Sequence, residues 1–207
     1  MGYTGSIKLN ICCALLISIL LSSAAKAETD PNLIQALKQS THNSQDNTTD
    51  LDSLVWLSSM SEKLVRRIPN AFYRIRLLDT VYKESQRMGL DPQLVLAVID
   101  IESNFNRYAE SHVGAQGLMQ IMPFWKDVYG RPNDDLYNPQ INIRYGCEIL
   151  RHYMDKYQDP VRALAAYNGS LGRDKYPNKV YGRLAKTWQF TEDRYSRNTD
   201  NEVALNN

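Results

Sequence analysis

Asp91-Pro92-Gln93-Leu94-Val95-Leu96-Ala97-Val98-Ile99-Asp100-Ile101-Glu102-Ser103-Asn104 decides the fold. Asp91 is a side-chain cap for the free amides of a first helical turn, and Pro92 sits where its missing N–H costs nothing. The apolar residues that follow surround most of the axis, which marks a helix buried at the centre of a domain. The same cap-plus-proline device recurs at Asn138-Pro139, opening a long helix to about Tyr157, and at Asp159-Pro160, opening a shorter one through Val161 to Tyr167 that Asn168-Gly169 closes.

Outward from this centre the helical spacing continues. Leu51, Leu54, Val55, Leu64, Val65 and Ile68 share one side of a helix ending at Pro69, and Phe72, Ile75, Leu78, Val81 and Tyr82 share the inward side of another from Asn70 to Arg87, stopped by Gly89. Pro123 opens a short helix through Trp125, and a last helix from about Pro177 carries Val180, Tyr181, Leu184 and Trp188. No run alternates with period two, so the expected fold is all-α.

The chain of 207 residues has a formal charge of +1, which points away from nucleic acid as a partner. Lys8 precedes an apolar run, Ile11 to Leu21, too short to span a bilayer comfortably; Ala25-Lys26-Ala27 after it has the small residues of a processing site. Residues 1–27 therefore read as a signal peptide, the alternative being an uncleaved anchor, and no stable membrane span is expected after processing. Cys12 and Cys13 would leave with it, and Cys147 alone cannot form an internal disulfide. A short helix over Leu33 to Lys38 is followed by a polar stretch from Gln39 to Asp50, so that 28–50 reads as a flexible linker. Residues 51–90 read as helices packing on a domain at 91–188, with a polar tail at 189–207.

Glu102 breaks the pattern of the central helix. It shares a face with Val95, Val98, Ile99 and Phe105, so its carboxylate points along an apolar stripe. Loss of hydration raises a carboxyl pKa, and a Glu still protonated near neutrality can give its proton to a leaving group. A lone Glu near a helix end that points to solvent is the other reading, and periodicity does not decide between them. Asp100, two positions away, faces another direction and reads as a surface or locally bonded residue. Glycosidases of the usual kind place two carboxyl groups across the scissile bond; here Glu110, Asp127, Asp134 and Asp135 are partners by chain proximity only.

Ile-Asp-Ile-Glu-Ser-Asn-Phe-Asn from Ile99, then Gly114-Ala115-Gln116-Gly117-Leu118-Met119-Gln120-Ile121-Met122-Pro123, resembles the catalytic segment of the soluble lytic transglycosylase family, and Ala165-Ala166-Tyr167-Asn168-Gly169 is similar to its third motif. The resemblance runs from about Leu77 to Trp188. It implies a goose-lysozyme-like helical domain with a groove for a glycan strand, and Glu102 as sole acid/base. That residue would protonate the oxygen between N-acetylmuramic acid and N-acetylglucosamine in peptidoglycan, then take the proton of the muramyl C6 hydroxyl as it closes a 1,6-anhydro ring. No second carboxylate is then needed, because water is not the nucleophile. By motif position Ser103 would set the end of the catalytic helix, Ser111 and Gln120 would reach the sugars, Met119 would line the groove, and Tyr167 and Asn168 would come from the opposite wall, a tyrosine hydroxyl near Glu102 being able to stabilise either protonation state.

The resemblance implies no cofactor, and His42, His112 and His152 lack metal-ligand spacing. It also implies an exported, periplasmic or envelope-located monomer, with an envelope-spanning secretion or conjugation machine as the partner that small exported members of the family often serve. Two other readings keep the motifs: a goose-type muramidase in which water attacks, and a non-catalytic peptidoglycan-binding scaffold. Arg107-Tyr108 departs from the family, standing where small or prolyl residues are common. Tyr108, Trp125, Tyr137, Tyr176 and Tyr181 are available to stack on sugars, but tyrosines in small helical domains more often serve packing.

Overall fold

The computed structural model describes residues 31–42 and 51–190. The signal-peptide reading of 1–27 and nearly all of the tail read at 189–207 lie outside them. Eight α-helices run in order among the described residues: α1 (Pro31–His42), α2 (Leu51–Leu64), α3 (Ala71–Arg87), α4 (Pro92–Ser103), the short α5 (Lys126–Tyr129) entered through a 3-10 turn at Pro123–Trp125, α6 (Pro139–Tyr157), α7 (Pro160–Tyr167) and α8 (Lys175–Arg183). A wider π turn, Leu184–Trp188, follows α8. The described residues contain no strand, only isolated bridges joining Glu110 to Gln116 and Gln116 to Ile121. The all-α expectation holds.

The starts of these helices follow from their caps. Asp91, Asn138 and Asp159 each accept hydrogen bonds from first-turn amides and each precedes a proline; a cap of this kind contributes about 1 kcal/mol. Asn70 caps α3 in the same way. At the other end of α4, Asn104 takes a left-handed backbone (φ 50) and the chain turns away directly after Ser103.

Helix α4 is the axis of the domain. Val95 through Ile99 have no solvent exposure and join a core that runs from Trp56, Leu57, Met60 and Leu64 of α2 through Leu78 and Val81 of α3 to Tyr145, Leu150, Leu164 and Trp188. Buried Arg74 ties α2 to α3, donating to Ser61 Oγ (2.7 Å) and to the carbonyls of Ile68 and Pro69. Since a buried guanidinium must have its donors answered, this arrangement fixes the α2–α3 corner.

Four readings from spacing are corrected. Helix α1 extends to His42 and so enters the stretch read as linker; Leu33 and Ala36 bury against Ile75, and this tertiary contact outweighs the polar composition that follows. Helix α2 ends at Leu64, which leaves Val65 47% exposed. Helix α8 starts at Lys175, two residues before Pro177, because proline is tolerated anywhere in a first turn. Asp100 is buried, not at the surface: Arg67 Nη1 lies 3.1 Å from its Oδ2, Trp188 Nε1 donates to the same oxygen at 3.0 Å, and Arg183 Nε lies 3.5 Å away.

Candidate active site

Glu102 occupies the last turn of α4, where the apolar stripe of the helix meets the first residues of α8. Tyr176 Oη donates a 2.6 Å hydrogen bond to Glu102 Oε1. Burial drives the carboxyl pKa up to about 7, and the tyrosine bond, which favours the ionised form, opposes the shift. Burial also holds the Tyr176 and Tyr167 hydroxyls well above the usual phenol range, with the Glu102 charge adding to both shifts. Both phenols therefore stay protonated while Glu102 changes state.

Among the described residues no second carboxylate acts on Glu102; its shift has the two causes given. The acids that follow it in the chain are engaged elsewhere. Glu110 accepts from Tyr137 Oη at 2.6 Å, and Asp135 accepts from the Tyr137 amide. Asp134 is held by Tyr145, Arg144 and the Arg131 amide, with Tyr145 the main cause of its lowered pKa. Asp127 is exposed. The arrangement is that of one proton donor poised near neutrality.

The loop from Asn104 to Met122 is built by backbone pairing with side-chain locks. Ser111 closes it through paired bonds with Ala115, amide to carbonyl at 2.9 Å and Ala115 amide to Ser111 Oγ at 3.0 Å. Gln120, at a left-handed φ of 51, donates from Nε2 to the carbonyls of Ala109 and Gly117. Ser103 Oγ bonds back to the Ile99 carbonyl within α4. Tyr167, on the neighbouring helix α7, donates to the Met119 carbonyl at 2.8 Å, so the loop and α7 are joined beside Glu102. Asn168 ends α7 and is exposed.

Met119 is corrected. Its side chain has no solvent exposure and lies so close to Gly146 of α6 that a Cβ there would strike its sulfur; it is core, not groove lining. Its carbonyl, rather than its thioether, faces Tyr167.

Two residues that place the site escaped the motif reading. Tyr176 carries the contact with Glu102, but before the fold is known it is one of thirteen tyrosines. The only local signal is its position at the start of a helix, next to Pro177. Buried Asn142 is the second. It accepts from the Met119 amide (2.8 Å) and donates to the carbonyls of Gln116 (2.9 Å) and Leu136 (2.7 Å), holding the loop from α6. A polar residue between Ile141 and Ile143 in a helix that must bury part of its face was the available signal.

The family model for the transglycosylase SLT domain matches residues 79–189, more than half of the chain. Among curated relatives, a transglycosylase of Enterobacteria phage PRD1 is 38% identical over 109 residues, covering 49% of this chain and 40% of the relative. Membrane-bound lytic murein transglycosylase C of Glaesserella parasuis serovar 5 is 38% identical over 114 residues, 47% of this chain and 31% of the relative. The match therefore spans well under half the length of either relative. Of solved structures, an inactive variant of the lytic transglycosylase Slt from Pseudomonas aeruginosa aligns at a TM-score of 0.41 and 25% identity over 70% of this chain and 24% of that one. The 70 kDa soluble lytic transglycosylase of Escherichia coli aligns at 0.41 and 21% over 79% and 27%. Since the family model covers more than half of the chain, Glu102, Tyr167 and Tyr176 included, the chain belongs to the transglycosylase SLT domain family.

Proposed function

We propose that this protein is a peptidoglycan lytic transglycosylase, with Glu102 serving in turn as acid and base. The carrying observation is the largely desolvated Glu102 carboxyl, shifted to about 7 with no second acid among the causes of the shift. Protonated Glu102 gives its proton to the oxygen bridging N-acetylmuramic acid and N-acetylglucosamine, and the bond from that oxygen to the muramyl C1 breaks. The substrate's own N-acetyl carbonyl stabilises the charge at C1. The carboxylate then receives the proton of the C6 hydroxyl as that oxygen bonds to C1, which closes the anhydro ring and restores the neutral acid. No atom is taken from water, in keeping with a Glu102 on which no second carboxylate among the described residues acts.

Tyr176 steadies the ionised interval between the two transfers by donating to Oε1. Gln120, Ser103 and Ser111 act through the loop and helix geometry that they fix, Tyr167 and Asn168 supply the facing wall, and the groove between the walls takes the glycan. The helices at 51–90 serve as packing support for the domain at 91–188. The setting proposed with this activity is the periplasm or envelope, reached by the signal read at 1–27, with the enzyme acting as a monomer in the service of an envelope-spanning machine. No helix among the described residues is long and apolar enough to cross a membrane.

The test is digestion of purified sacculi with product masses recorded. Anhydro ends, lighter by one water than hydrolysed ends, are expected from the wild type and not from Glu102→Gln. Hydrolysed ends would make this a muramidase, no release by either protein would leave a binding scaffold, and equal release by the two would remove Glu102 from the chemistry.

A further inference from the structure

Tyr73, Arg76 and Leu77 of α3, Arg107 from the loop after α4, and Asn138, Pro139 and Gln140 at the start of α6 line a cavity of about 140 Å³. Its charge is one-sided: two guanidinium groups and no acid. In the larger cavity beside Glu84 and Tyr129 the corresponding charge is answered, since Arg144 pairs with Asp134 at 3.1 Å. Among the described residues neither Arg76 nor Arg107 makes an ion pair.

Two polar atoms at this place are buried without a hydrogen-bond partner of good geometry, the Tyr73 hydroxyl and Arg107 Nε. Burial raises the Tyr73 pKa, and Arg107 opposes that rise by its charge and by a weak hydrogen bond to the hydroxyl; no carboxylate contributes. Arg107 thus has only a neutral phenol beside it, and a buried donor left unmade costs roughly 1–3 kcal/mol, so the place lacks an anionic acceptor. The guanidinium of Arg107 also lies over the Tyr108 ring, 4.7 Å from its centre, which holds it in position while Tyr108 stays 67% exposed. An arginine held over an aromatic ring at the wall of a small cavity has the planar fork that a carboxylate fits.

We propose that this cavity binds a carboxylate of the peptide stem borne by the glycan, an inference that rests on the peptidoglycan reading above. Reach supports the assignment. Arg107 is five residues beyond Glu102, so the two Cα atoms are at most about 18 Å apart, and the turn closed by the Asn106 amide on the Ser103 carbonyl shortens this. A stem of four residues, at about 3.3 Å each, extends about 13 Å, against a separation of at most about 15 Å once that turn holds the Ser103 and Asn106 Cα atoms within about 7 Å; the Arg107 side chain spans the remainder. Tyr73, Arg76 and Leu77 precede the matched family segment, which begins at residue 79. Three of the seven lining residues thus come from the part of α3 ahead of that segment, and the site gives it a role beyond packing. Arg107, at the departure from the family pattern, supplies the second guanidinium.

The test compares the wild type with Arg76→Gln/Arg107→Gln in two arms. In the first, cleavage is followed on glycan strands carrying their stems and on the same strands after an amidase has removed them. The double variant is expected to raise KM about tenfold on stem-bearing strands and to leave kcat, the stem-free KM and the thermal transition as in the wild type. In the second, calorimetric titration uses a free stem tetrapeptide, the same peptide with its carboxyls converted to amides, and inorganic phosphate. The wild type is expected to bind the acid peptide, with the amidated peptide and the double variant each about tenfold weaker. Equal KM changes on both kinds of strand, equal affinity for acid and amidated peptide, or phosphate bound as tightly as the peptide would each overturn the assignment. The titration involves no bond cleavage, so loss of the stem site and failure of the transglycosylase reading register separately.

Discussion

Tyr176 and Glu102 are 74 residues apart in the chain and share a 2.6 Å hydrogen bond, with the phenol donating to Oε1. The bond favours the carboxylate, whereas burial favours the neutral acid, and burial is the larger influence. Proton transfer in both directions needs this balance, because an acid held too strongly neutral would not give up its proton and one held too weakly would not have it.

Removing the phenol oxygen should tip the balance. In Tyr176→Phe the carboxyl pKa rises above its present value, and the alkaline limb of the kcat/KM profile moves to higher pH by up to about one unit. The maximum rate falls by about tenfold or more as the ionised interval loses its donor. A pH–rate profile measured on soluble glycan strands checks this; a lower rate with an unmoved limb would assign Tyr176 to substrate contact alone.

Stability carries the same signature with a definite sign. Glu102 has a folded pKa of about 7 against an ordinary value of 4.5, so the folded state binds more protons between these values. Stability therefore falls as pH rises through that window, by up to about 3 kcal/mol, and then levels off. Glu102→Gln, which cannot ionise, should gain stability over the wild type at pH 8 and little or none at pH 4. Denaturant unfolding at the two pH values measures the difference.

Asp100 anchors the opposite side of the same helix. Its side chain is 1% exposed and faces Arg67 and Arg183. Asp100→Ala leaves those cations and the Trp188 indole N–H without their acceptor and should cost about 3–5 kcal/mol. Arg67→Ala removes a partner that is itself 28% exposed, and its cost should be smaller, about 1–2 kcal/mol. Thermal unfolding of the two variants gives the order.

Gly117 tests how the loop is held. Its φ is +78, and a Cβ would run into the Asn142 amide and the Leu136 carbonyl. Gly117→Ala therefore combines backbone strain with a clash against the group that anchors Met119, at a cost of about 2–4 kcal/mol. The activity that survives should be lower than the loss of folded protein accounts for. Activity per folded molecule, with the folded fraction taken from circular dichroism, is the check.

The helices were legible in the sequence because their starts are written locally, in Asp91-Pro92, Asn138-Pro139 and Asp159-Pro160, each of which caps a helix in the structure. Glu102 was legible as an anomaly because seven-, four- and three-residue offsets place it on an apolar stripe. What could not be read depends on contacts far apart in the chain. Asp100 looked like a surface acid because its partners, Arg67, Arg183 and Trp188, arrive from the turn after α2, from α8 and from the π turn. Tyr176 has only its place at a helix start beside Pro177 to separate it from the other tyrosines, and Met119 faces the core where Gly146 leaves room for its sulfur. Periodicity names a face of a helix; which neighbour covers that face is settled by tertiary packing.

The most direct measurement is a titration of the Glu102 side-chain carboxyl, followed by its carbon-13 shift in protein labelled at glutamate, with Glu102→Gln used for assignment. The account predicts a midpoint near 7, moving upward in Tyr176→Phe. A midpoint near 4.5, unchanged by that substitution, would mean that the group is ionised and hydrated at working pH, and would contradict its role as the proton donor.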